Sequence, residues 1–360
     1  MLVLRLSDLT ILQVSENSAE LLGETPAALA GQDVAKAVGA AGAARLREVI
    51  DREPIERNSL YAFTLPARGA AEAMDVCVHT VDGVAVVECE ARRDGEEGGA
   101  VDYFRGLRGA VGRMQAANGL REFCLRVAEE VRALSGLDRV MIYRFHADMH
   151  GEVFAEAKRE DLAPWLGFHY PEGDIPRPAR EIFKRIWIRP LPHAAGPLVE
   201  LVPLANPDTG HPLNLTHCAL RGASVMYSEY LANMGVAASL TMPILRDGEL
   251  WGLIACQHNT PTHFPYQMRS ACEFLAQVAT LQLKNAEESE QRAYRLRLEG
   301  MHQQLVATAA QDGNLVALID RQPSLLDAME AGGVALYHLD RWWCAEIGRA
   351  SCRERVLVAV

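Results

Sequence analysis

The N-terminal part of the chain alternates short apolar runs with polar turns, a pattern typical of a small mixed domain. Strand-like runs lie at 1–6, 10–14, 60–65, 74–80 and 83–90. Helical spacing of apolar residues lies between them, at 19–22, 32–38 and 43–50. Asp82 and Gly83, between the last two strands, are a hairpin signal. Together these segments predict an α+β domain over residues 1–93.

A second pattern of the same class follows a short linker. Residues 94–100 combine glycine with acidic residues, a composition typical of a flexible connection. A single helical pattern then covers 101–134. Strand-like runs follow at 139–145, 152–157, 198–204, 238–244 and 250–257, with helical segments at 177–186 and 227–234. Connections this long are uncommon unless they enclose a ligand, so we predict a second, ligand-binding α+β domain over 101–285.

One long helical pattern covers 264–311. Met268, Cys272 and Leu275 form an apolar stripe near its start, and the pattern turns polar beyond Lys284. A helix that is half core and half solvated usually connects domains or pairs with a copy of itself. We therefore predict a connecting helix over 286–313 that supports a homodimer. A third unit begins over 314–345, with an apolar helix at 315–329 that Pro323 interrupts and a strand at 334–339.

Composition and charge narrow the class of protein. The chain has 360 residues, of which 49% are hydrophobic and 23% charged, as expected of a soluble protein with at least two domains. It has neither a transmembrane-length apolar run nor a signal peptide, so we predict a cytoplasmic protein without membrane contact. The net charge of −11 argues against nucleic acid as a partner. Eight scattered cysteines without a Cys-x-x-Cys pair indicate buried, inert thiols.

Motifs of catalysis and metal binding are missing from the sequence. It contains no phosphate-binding loop, nucleophile elbow or His-Glu-x-x-His helix. His146 and His150 stand four positions apart, but they follow a strand in a turn, where solvated histidines are commoner than ligands. His217 and Cys218 are adjacent, and adjacent side chains point apart on a regular element. The sequence therefore predicts neither an enzyme nor a metal site.

Four stretches of the second domain are unusual together. Residues 168–180 place Asp174 between prolines just before a helix, and residues 214–221 end in Arg221. Residues 229–236 lead into a strand with Ser239 and Thr241, and residues 250–258 form an apolar strand whose end turns polar. With these stretches the domain closely resembles the GAF domain of phytochromes, and Asp-Ile-Pro is specific to that family. Residues 1–93 resemble its PAS domain, and residues 314–345 resemble the start of its PHY domain.

The resemblance implies a light sensor that binds a linear tetrapyrrole, biliverdin, an apolar ligand with two propionates and four pyrrole rings. Asp174, with Ile175 and Pro176, corresponds to the family signature beside the pyrrole nitrogens. Arg189 and Arg221 match propionate-binding arginines, since a guanidinium pairs with a carboxylate bidentately. Hydroxyl positions around the propionates are matched by Ser224, Ser239 and Thr241. Aromatic positions around the isomerising ring are matched by Tyr143, Tyr170, Phe183 and Tyr230.

Two groups of residues depart from the family pattern. Bacterial phytochromes attach biliverdin to a cysteine ahead of the PAS domain, before the point where this chain begins. Plant and cyanobacterial phytochromes use a cysteine inside the GAF domain, where Met226 stands here. We therefore predict a non-covalent chromophore in this chain. Tyr227 and Gln257 stand where the family usually has histidine, which predicts altered proton exchange and a shifted or less stable photoproduct.

The C-terminal end differs from a complete phytochrome. Residues 346–360 resemble translated adapter sequence in part, so we predict a non-native tail without function. The resemblance implies that Z/E isomerisation of the bilin signals to an output domain, in relatives usually a histidine kinase, that is absent here. The alternative is a PAS–GAF regulatory module that has lost its bilin and binds another small ligand or only dimerises.

Overall fold

The computed structural model describes residues 1–52, 59–67, 72–92, 99–322, 324–328 and 331–346. It divides into two compact units, Met1–Lys284 and Asn285–Val360, which are described separately. Most of the predicted linker, residues 94–98, and the predicted non-native tail from 347 onward lie outside the described residues.

The N-terminal domain packs short helices against one antiparallel sheet. Its strands are β1 (Leu2–Arg5), β2 (Ile11–Ser15), β3 (Leu60–Leu65), β4 (Met74–Val81) and β5 (Val84–Ala91). Its helices are α1 (Ser18–Leu22), α2 (Pro26–Leu29) and α3 (Ala35–Arg52). Asp82 and Gly83 join β4 to β5 with φ of 47° and 81°, the left-handed values that a two-residue hairpin turn of this kind requires.

Both faces of this sheet are buried. On one face, Leu4, Val76 and Val87 belong to a core that includes Leu46 of α3. On the other face, Val3 and Val86 pack against side chains of the second domain, including Cys218. This double burial explains why β5 is an unbroken apolar run at its start rather than an alternating one.

The second domain continues the first unit with a second antiparallel sheet and its helices. It begins with two helices, α4 (Gly99–Gln115) and α5 (Leu120–Ser135). The remaining elements up to residue 258 are β6 (Arg139–Phe145), β7 (Gly151–Lys158), β8 (His169–Tyr170), α6 (Arg177–Phe183), β9 (Arg189–Leu191), β10 (Leu201–Val202), α7 (Val225–Asn233), β11 (Ala238–Arg246) and β12 (Glu249–His258). Among the described residues, the sheet order is β8-β7-β6-β12-β11-β9.

The two faces of this second sheet differ in chemistry because side chains alternate along a strand. One face is apolar: Ile142, Leu240, Met242 and Ile254 are buried there, and α5 packs against β6 and β7. The opposite face carries the polar and aromatic positions of β6, β9, β11 and β12 that the sequence singled out. The sheet therefore positions those side chains on one surface.

A loop of the second domain completes the N-terminal sheet. β10 pairs antiparallel with β2, which makes the order β10-β2-β1-β5-β4-β3 among the described residues. Gln13 Nε2 donates to the carbonyl oxygen of Pro203 at 2.9 Å, and Arg5 Nε lies 2.6 Å from Asp208 Oδ2. The strand predicted at 198–204 is therefore wrong. The observed strand is shorter, and it belongs to the N-terminal sheet and not to the sheet of the second domain. Prolines at 197 and 203 cannot donate to a ladder, and this leaves a short edge pairing.

The predicted helix over 101–134 is also wrong, because it is two helices. Gly119 precedes α5 with a φ of 87°, outside the helical region, and separates it from α4. α4 begins at Gly99, so the last two residues of the predicted linker belong to it. Glycine at this break costs no steric strain, which the apolar spacing alone could not reveal.

A long helix, α8 (Tyr266–Asp312), begins in the first unit and ends in the second. The second unit then contains α9 (Ala317–Asp320), α10 (Leu325–Ala328), β13 (Gly333–His338) and β14 (Arg341–Glu346). The apolar helical segment predicted over 315–329, with an interruption at Pro323, is present as these two four-residue helices, α9 and α10. β13 pairs antiparallel with β14.

The α+β class that the sequence predicted is confirmed for both domains of the first unit. None of the helices in the described ranges combines the length and the apolar content that crossing a bilayer requires.

Candidate functional site

Cross-strand pairing gathers the predicted polar residues on one face of the second sheet. Thr241 of β11 stands opposite Arg189 of β9, and Ser239 stands opposite Gln257 of β12. Ser239, Thr241 and Gln257 are buried, although their side chains are polar. Because cross-strand partners share a face, these four side chains point to the same side of the sheet.

Two arginines meet at the edge of this face without a carboxylate partner. Arg189 donates from Nη1 to the carbonyl oxygen of Arg221 at 3.0 Å and from Nη2 to that of Gly222 at 2.8 Å. Among the described residues, no carboxylate lies within 4.0 Å of either guanidinium. Burial and then the charge of Arg221 lower the pKa of Arg189 to about 10, and burial lowers the pKa of Arg221. The pair is a concentration of positive charge without a carboxylate in contact with it among the described residues.

Hydroxyl groups stand beside these arginines. Ser224 caps α7, its Oγ accepting a hydrogen bond from the backbone N–H of Tyr227 at 3.3 Å. Tyr227 Oη in turn lies 3.3 Å from Ser239 Oγ, so α7 is joined to β11 across the face. A cavity of about 380 Å³ opens next to Arg221, with Met1 and Leu198 among its lining residues.

Asp174 lies at the end of a 3-10 turn over Glu172–Asp174, just before α6. Tyr230 of α7 donates from Oη to Asp174 Oδ2 at 3.4 Å. Burial, and then the charge of Asp174, raise the pKa of Tyr230 to about 12, which keeps the tyrosine a proton donor. Ile175, which follows, packs into an apolar cluster, whereas Pro176 is exposed.

That cluster contains the predicted aromatic residues Tyr143, Tyr170 and Phe183. The ring centroids of Tyr143 and Tyr170 are 6.0 Å apart. Burial raises the pKa of both tyrosines. The Tyr143 ring lies against Gly151 of β7, where a Cβ atom would come within 1.8 Å of it, so only glycine leaves room for the ring.

Arg180 is a residue of the site that the sequence did not single out. It is buried in α6, and its Nη1 donates to the carbonyl oxygen of Ile175 at 2.7 Å while its Nη2 binds Glu172 Oε1 at 2.6 Å. These bonds hold the loop that carries Asp174. The available signal in the sequence was an arginine at the end of a proline-flanked motif. Arginines at such positions are more often exposed than buried, so this signal was weak.

The structure thus brings the predicted residues together in two groups on the second domain. The first group contains the arginines and the hydroxyls: Arg189, Arg221, Ser224, Tyr227, Ser239, Thr241 and Gln257. The second contains the acid and the aromatics: Asp174, Ile175, Tyr143, Tyr170, Phe183 and Tyr230. Tyr227 and Tyr230, one helical turn apart on α7, connect the groups.

Comparison with known proteins places this arrangement in a family. Residues 1–92 match the family described as PAS fold, and residues 119–283 match the GAF domain family. The chain is similar to the chromophore-binding domain of the bacteriophytochrome RpBphP3 from R. palustris, with 35% identity and a TM-score of 0.72, over 80% of this chain and 93% of that one. The chain belongs to the phytochrome family.

Other phytochromes cover nearly the whole chain. The photosensory core module of Stigmatella aurantiaca phytochrome has 32% identity and a TM-score of 0.75, over 96% of this chain and 69% of that one. Cyanobacterial phytochrome B of Nostoc sp. is 35% identical over 93% of this chain and 45% of its own length. The chain spans less than half of the curated phytochromes of cyanobacteria that it matches. The predicted order of a PAS domain, a GAF domain and a long helix is confirmed.

The cysteines of the first unit lie in the interior of this phytochrome chain. Six are buried: Cys77, Cys89, Cys124, Cys218, Cys256 and Cys272. Burial raises the pKa of Cys218, whose Sγ lies 3.8 Å from His79 Nε2 rather than beside its neighbour His217. Met226, at the position of the plant-type attachment cysteine, is exposed.

Proposed function

We propose that the chain is the photosensory part of a light receptor that binds a bilin, biliverdin, on the polar face of its GAF domain. Light absorbed by the bilin drives a Z/E isomerisation, and the change passes along α8 to a C-terminal output domain. The protein acts by signalling and not by catalysis through these residues. Two relatives support the assignment by name, a chromophore-binding domain and a phytochrome photosensory module.

The observation that carries the proposal is the pair Arg189 and Arg221. Two partly buried guanidinium groups that repel each other and lack a carboxylate partner are costly unless an anion binds them. A bilin has two propionates, so it supplies a carboxylate for each arginine. The hydroxyls of Ser224, Ser239 and Thr241 are suited to complete the hydrogen bonds of those carboxylates.

Asp174 is suited to the positive charge of the bilin nitrogens, as the arginines are suited to the propionates. The conjugated rings of a protonated bilin carry a positive charge on their nitrogens, and an aspartate next to them favours that form. Arg180 acts on Asp174 indirectly, since it fixes the Ile175 carbonyl oxygen one residue further along. Pro176 is the N-cap of the helix that follows, and the restricted backbone on either side of it keeps the loop in place.

The aromatic cluster suits the ring that isomerises. Tyr143, Tyr170 and Phe183 offer an apolar surface that carries no charge, and Tyr230 of α7 donates a hydrogen bond to Asp174. Rotation of a pyrrole ring against these side chains would be transmitted to β6, β8, α6 and α7, which carry them.

The chromophore is held without a covalent bond in this chain. Attachment requires an accessible thiolate, whereas the described cysteines up to residue 284 are buried, and burial raises the pKa of Cys77, Cys218 and Cys256.

The test is titration of the protein with biliverdin, followed by absorption in the red. Arg221→Met should weaken bilin binding by at least tenfold, because a hydrogen-bonded charge contributes about 1.5–3 kcal/mol. Arg221 is the better variant, since among the described residues its side chain makes a single long hydrogen bond, to the Leu215 carbonyl oxygen, whereas Arg189 also supports the loop. Arg246→Met, at the exposed end of β11, is the matched control.

The outcomes of this titration distinguish a non-covalent bilin site from a covalent one and from a module without bilin. A red band that is lost on denaturation supports a non-covalent bilin site. A pigment that survives denaturation would contradict non-covalent binding and direct attention to Cys218 or Cys256. No red band in the folded protein would favour the alternative, a regulatory module without bilin. Equal affinities of Arg221→Met and Arg246→Met would refute the arginine argument.

Tyr227 and Gln257 replace the histidines that phytochromes usually place near the bilin. Tyrosine and glutamine do not ordinarily change charge near neutral pH, whereas histidine does. We expect the absorption of the bilin-loaded protein to stay constant between about pH 6 and 8, and Gln257→His to introduce a titration in that window. Gln303→His on the exposed part of α8 is the control. Titration of the unmodified protein in this window would contradict the expectation.

A further inference from the structure

Three histidines meet at the end of the second sheet where β6, β7 and β8 adjoin. His146 and His150 flank the turn between β6 and β7, and His169 begins β8. The backbone N–H of His146 donates to the carbonyl oxygen of His150 at 3.0 Å, which closes the turn. β8 pairs with β7 so that His169 stands opposite Glu152. The turn and the strand pairing therefore bring the three rings to one place.

The rings are close enough to share one ion. The ring centroids of His146 and His150 are 4.3 Å apart, and His169 lies 5.9 Å and 5.1 Å from them. One ring nitrogen of each histidine lies within 4.8 Å of the others. Among the described residues, no other group of three His, Cys, Asp or Glu side chains meets this condition.

A second observation concerns the carboxylates behind the rings. His146 Nε2 lies 2.9 Å from Glu152 Oε2, and His150 Nδ1 lies 2.5 Å from Asp148 Oδ1. Each carboxylate accepts the proton of one ring nitrogen and leaves the other nitrogen with a free lone pair. This carboxylate–histidine arrangement is the one that surrounds metal ions in proteins, where it fixes the tautomer and orients the ring.

We propose that His146, His150 and His169 bind a divalent transition-metal ion such as Zn²⁺, with Glu152 and Asp148 as supporting carboxylates. Neutral imidazoles suit Zn²⁺, Cu²⁺ and Ni²⁺, whereas Mg²⁺ and Ca²⁺ require oxygen ligands. Three protein ligands leave a fourth position to water or to a small ligand.

Binding requires a small local rearrangement. In a tetrahedral site with Zn–N bonds of about 2.0–2.1 Å, ligand nitrogens stand about 3.4 Å apart, so no gap between these nitrogens must close by more than about 1.4 Å. His146 and His150 are stacked at 4° between their planes, and parallel rings cannot both point at one ion. Rotation of these half-exposed rings supplies the movement without a change in the strands.

The site is independent of bilin binding, since none of its residues belongs to the proposed pocket. It adjoins that pocket in sequence, because Tyr170 follows His169 in β8. An ion that joins β8 to the β6–β7 turn would thus restrain the strand that carries Tyr170.

The test uses the metal-free full chain, purified without a histidine tag and titrated with Zn²⁺ by calorimetry and with Co²⁺ by visible absorption. We expect one Zn²⁺ per chain and a tetrahedral Co²⁺ spectrum, neither of which Mg²⁺ produces. His169→Gln should abolish the Co²⁺ spectrum, and Glu152→Gln should lower the affinity by about tenfold or more. His302→Gln, at an exposed position of α8, is the matched control.

The proposal is overturned if Zn²⁺ releases no heat, or if His169→Gln binds Zn²⁺ as tightly as His302→Gln. Thermal melts of each variant show whether the fold is intact. The histidines are at the surface, so these substitutions leave the core unchanged, and bilin binding by the same variants serves as a second check of folding.

Discussion

His79 is a fully buried titratable residue at the contact between the two domains. Its Nδ1 lies 3.8 Å from Glu88 Oε2, its Nε2 lies 3.8 Å from Cys218 Sγ, and the His217 ring faces it at 6.3 Å. Burial and then the charge of His217 lower the pKa of His79 from 6.5 to about 4. The folded protein therefore holds His79 neutral at a pH where the unfolded chain protonates it.

This difference makes stability depend on pH. Because the folded pKa is the lower one, the contribution of His79 is fully present above about pH 6.5 and is lost as the pH falls towards 4. One pKa unit corresponds to about 1.4 kcal/mol, so the free energy of unfolding should fall by about 3 kcal/mol over this window. His79→Gln should flatten that part of the profile, measured by urea unfolding at each pH.

Glu88 changes the stability with pH in the opposite direction, but it is present in both the wild type and His79→Gln. Burial raises its pKa, so its protonation at low pH favours the folded chain, and this contribution largely cancels in the comparison. Parallel profiles for the wild type and His79→Gln would show that His79 does not carry the pH dependence.

At the scale of elements, the start of α8 is fastened to β5 by a buried ion pair. Arg269 Nη1 lies 2.6 Å from Glu90 Oε2 and also donates to the carbonyl oxygen of Phe264 at 2.6 Å. Both side chains are less than a tenth exposed. Glu88, two residues earlier on β5, accepts hydrogen bonds from the N–H groups of Ala219 and Leu220. The same strand therefore holds the helix and the loop that leads to Arg221.

Removal of one partner of this ion pair should lower the free energy of unfolding. Arg269→Met leaves Glu90 buried and unpaired, and we expect a loss of about 3–5 kcal/mol in the free energy of unfolding. Arg126→Met on α5, whose partners Glu122 and Glu129 are exposed, should change it by less than about 1 kcal/mol. The double variant Arg269→Met with Glu90→Met should recover part of the loss in urea unfolding. Equal losses for Arg269→Met and Arg126→Met would contradict the assignment.

At the scale of the whole molecule, α8 is the feature that extends beyond one domain. Its 47 residues correspond to about 70 Å of helix. Within the first unit, Phe274 and Leu281 stand seven positions apart on it and are 47% and 78% exposed. Apolar residues at a heptad interval on a solvent-exposed helix are typical of a surface that pairs with a second copy.

We therefore expect the chain to form a dimer through α8 and Leu281→Glu to dissociate it, because two charges would face each other at the contact. Leu339→Glu, an equally exposed position in the turn after β13, is the control and should leave the dimer intact. Sedimentation velocity measures the change. A dimer that persists in Leu281→Glu would place the contact elsewhere.

Local patterns determined much of this architecture. The longer strands of both sheets, the Asp82-Gly83 hairpin and the change from apolar to polar residues along α8 follow from periodicity and turn chemistry that neighbouring residues share. The Asp-Ile-Pro stretch predicted the family, because its residues are adjacent in the chain. The proposed roles of the bilin-site residues still depend on the binding experiments.

Contacts between distant residues required the tertiary structure. β9 is three residues long and exists because Arg189 and Leu191 pair with β11, and β10 exists because β2 offers a free edge. His146, His150 and His169 form one cluster because β8 pairs with β7, which their spacing along the chain does not show. Periodicity reports which face of an element is buried, whereas register and loop docking decide which side chains meet, since those depend on energies summed over residues far apart in sequence.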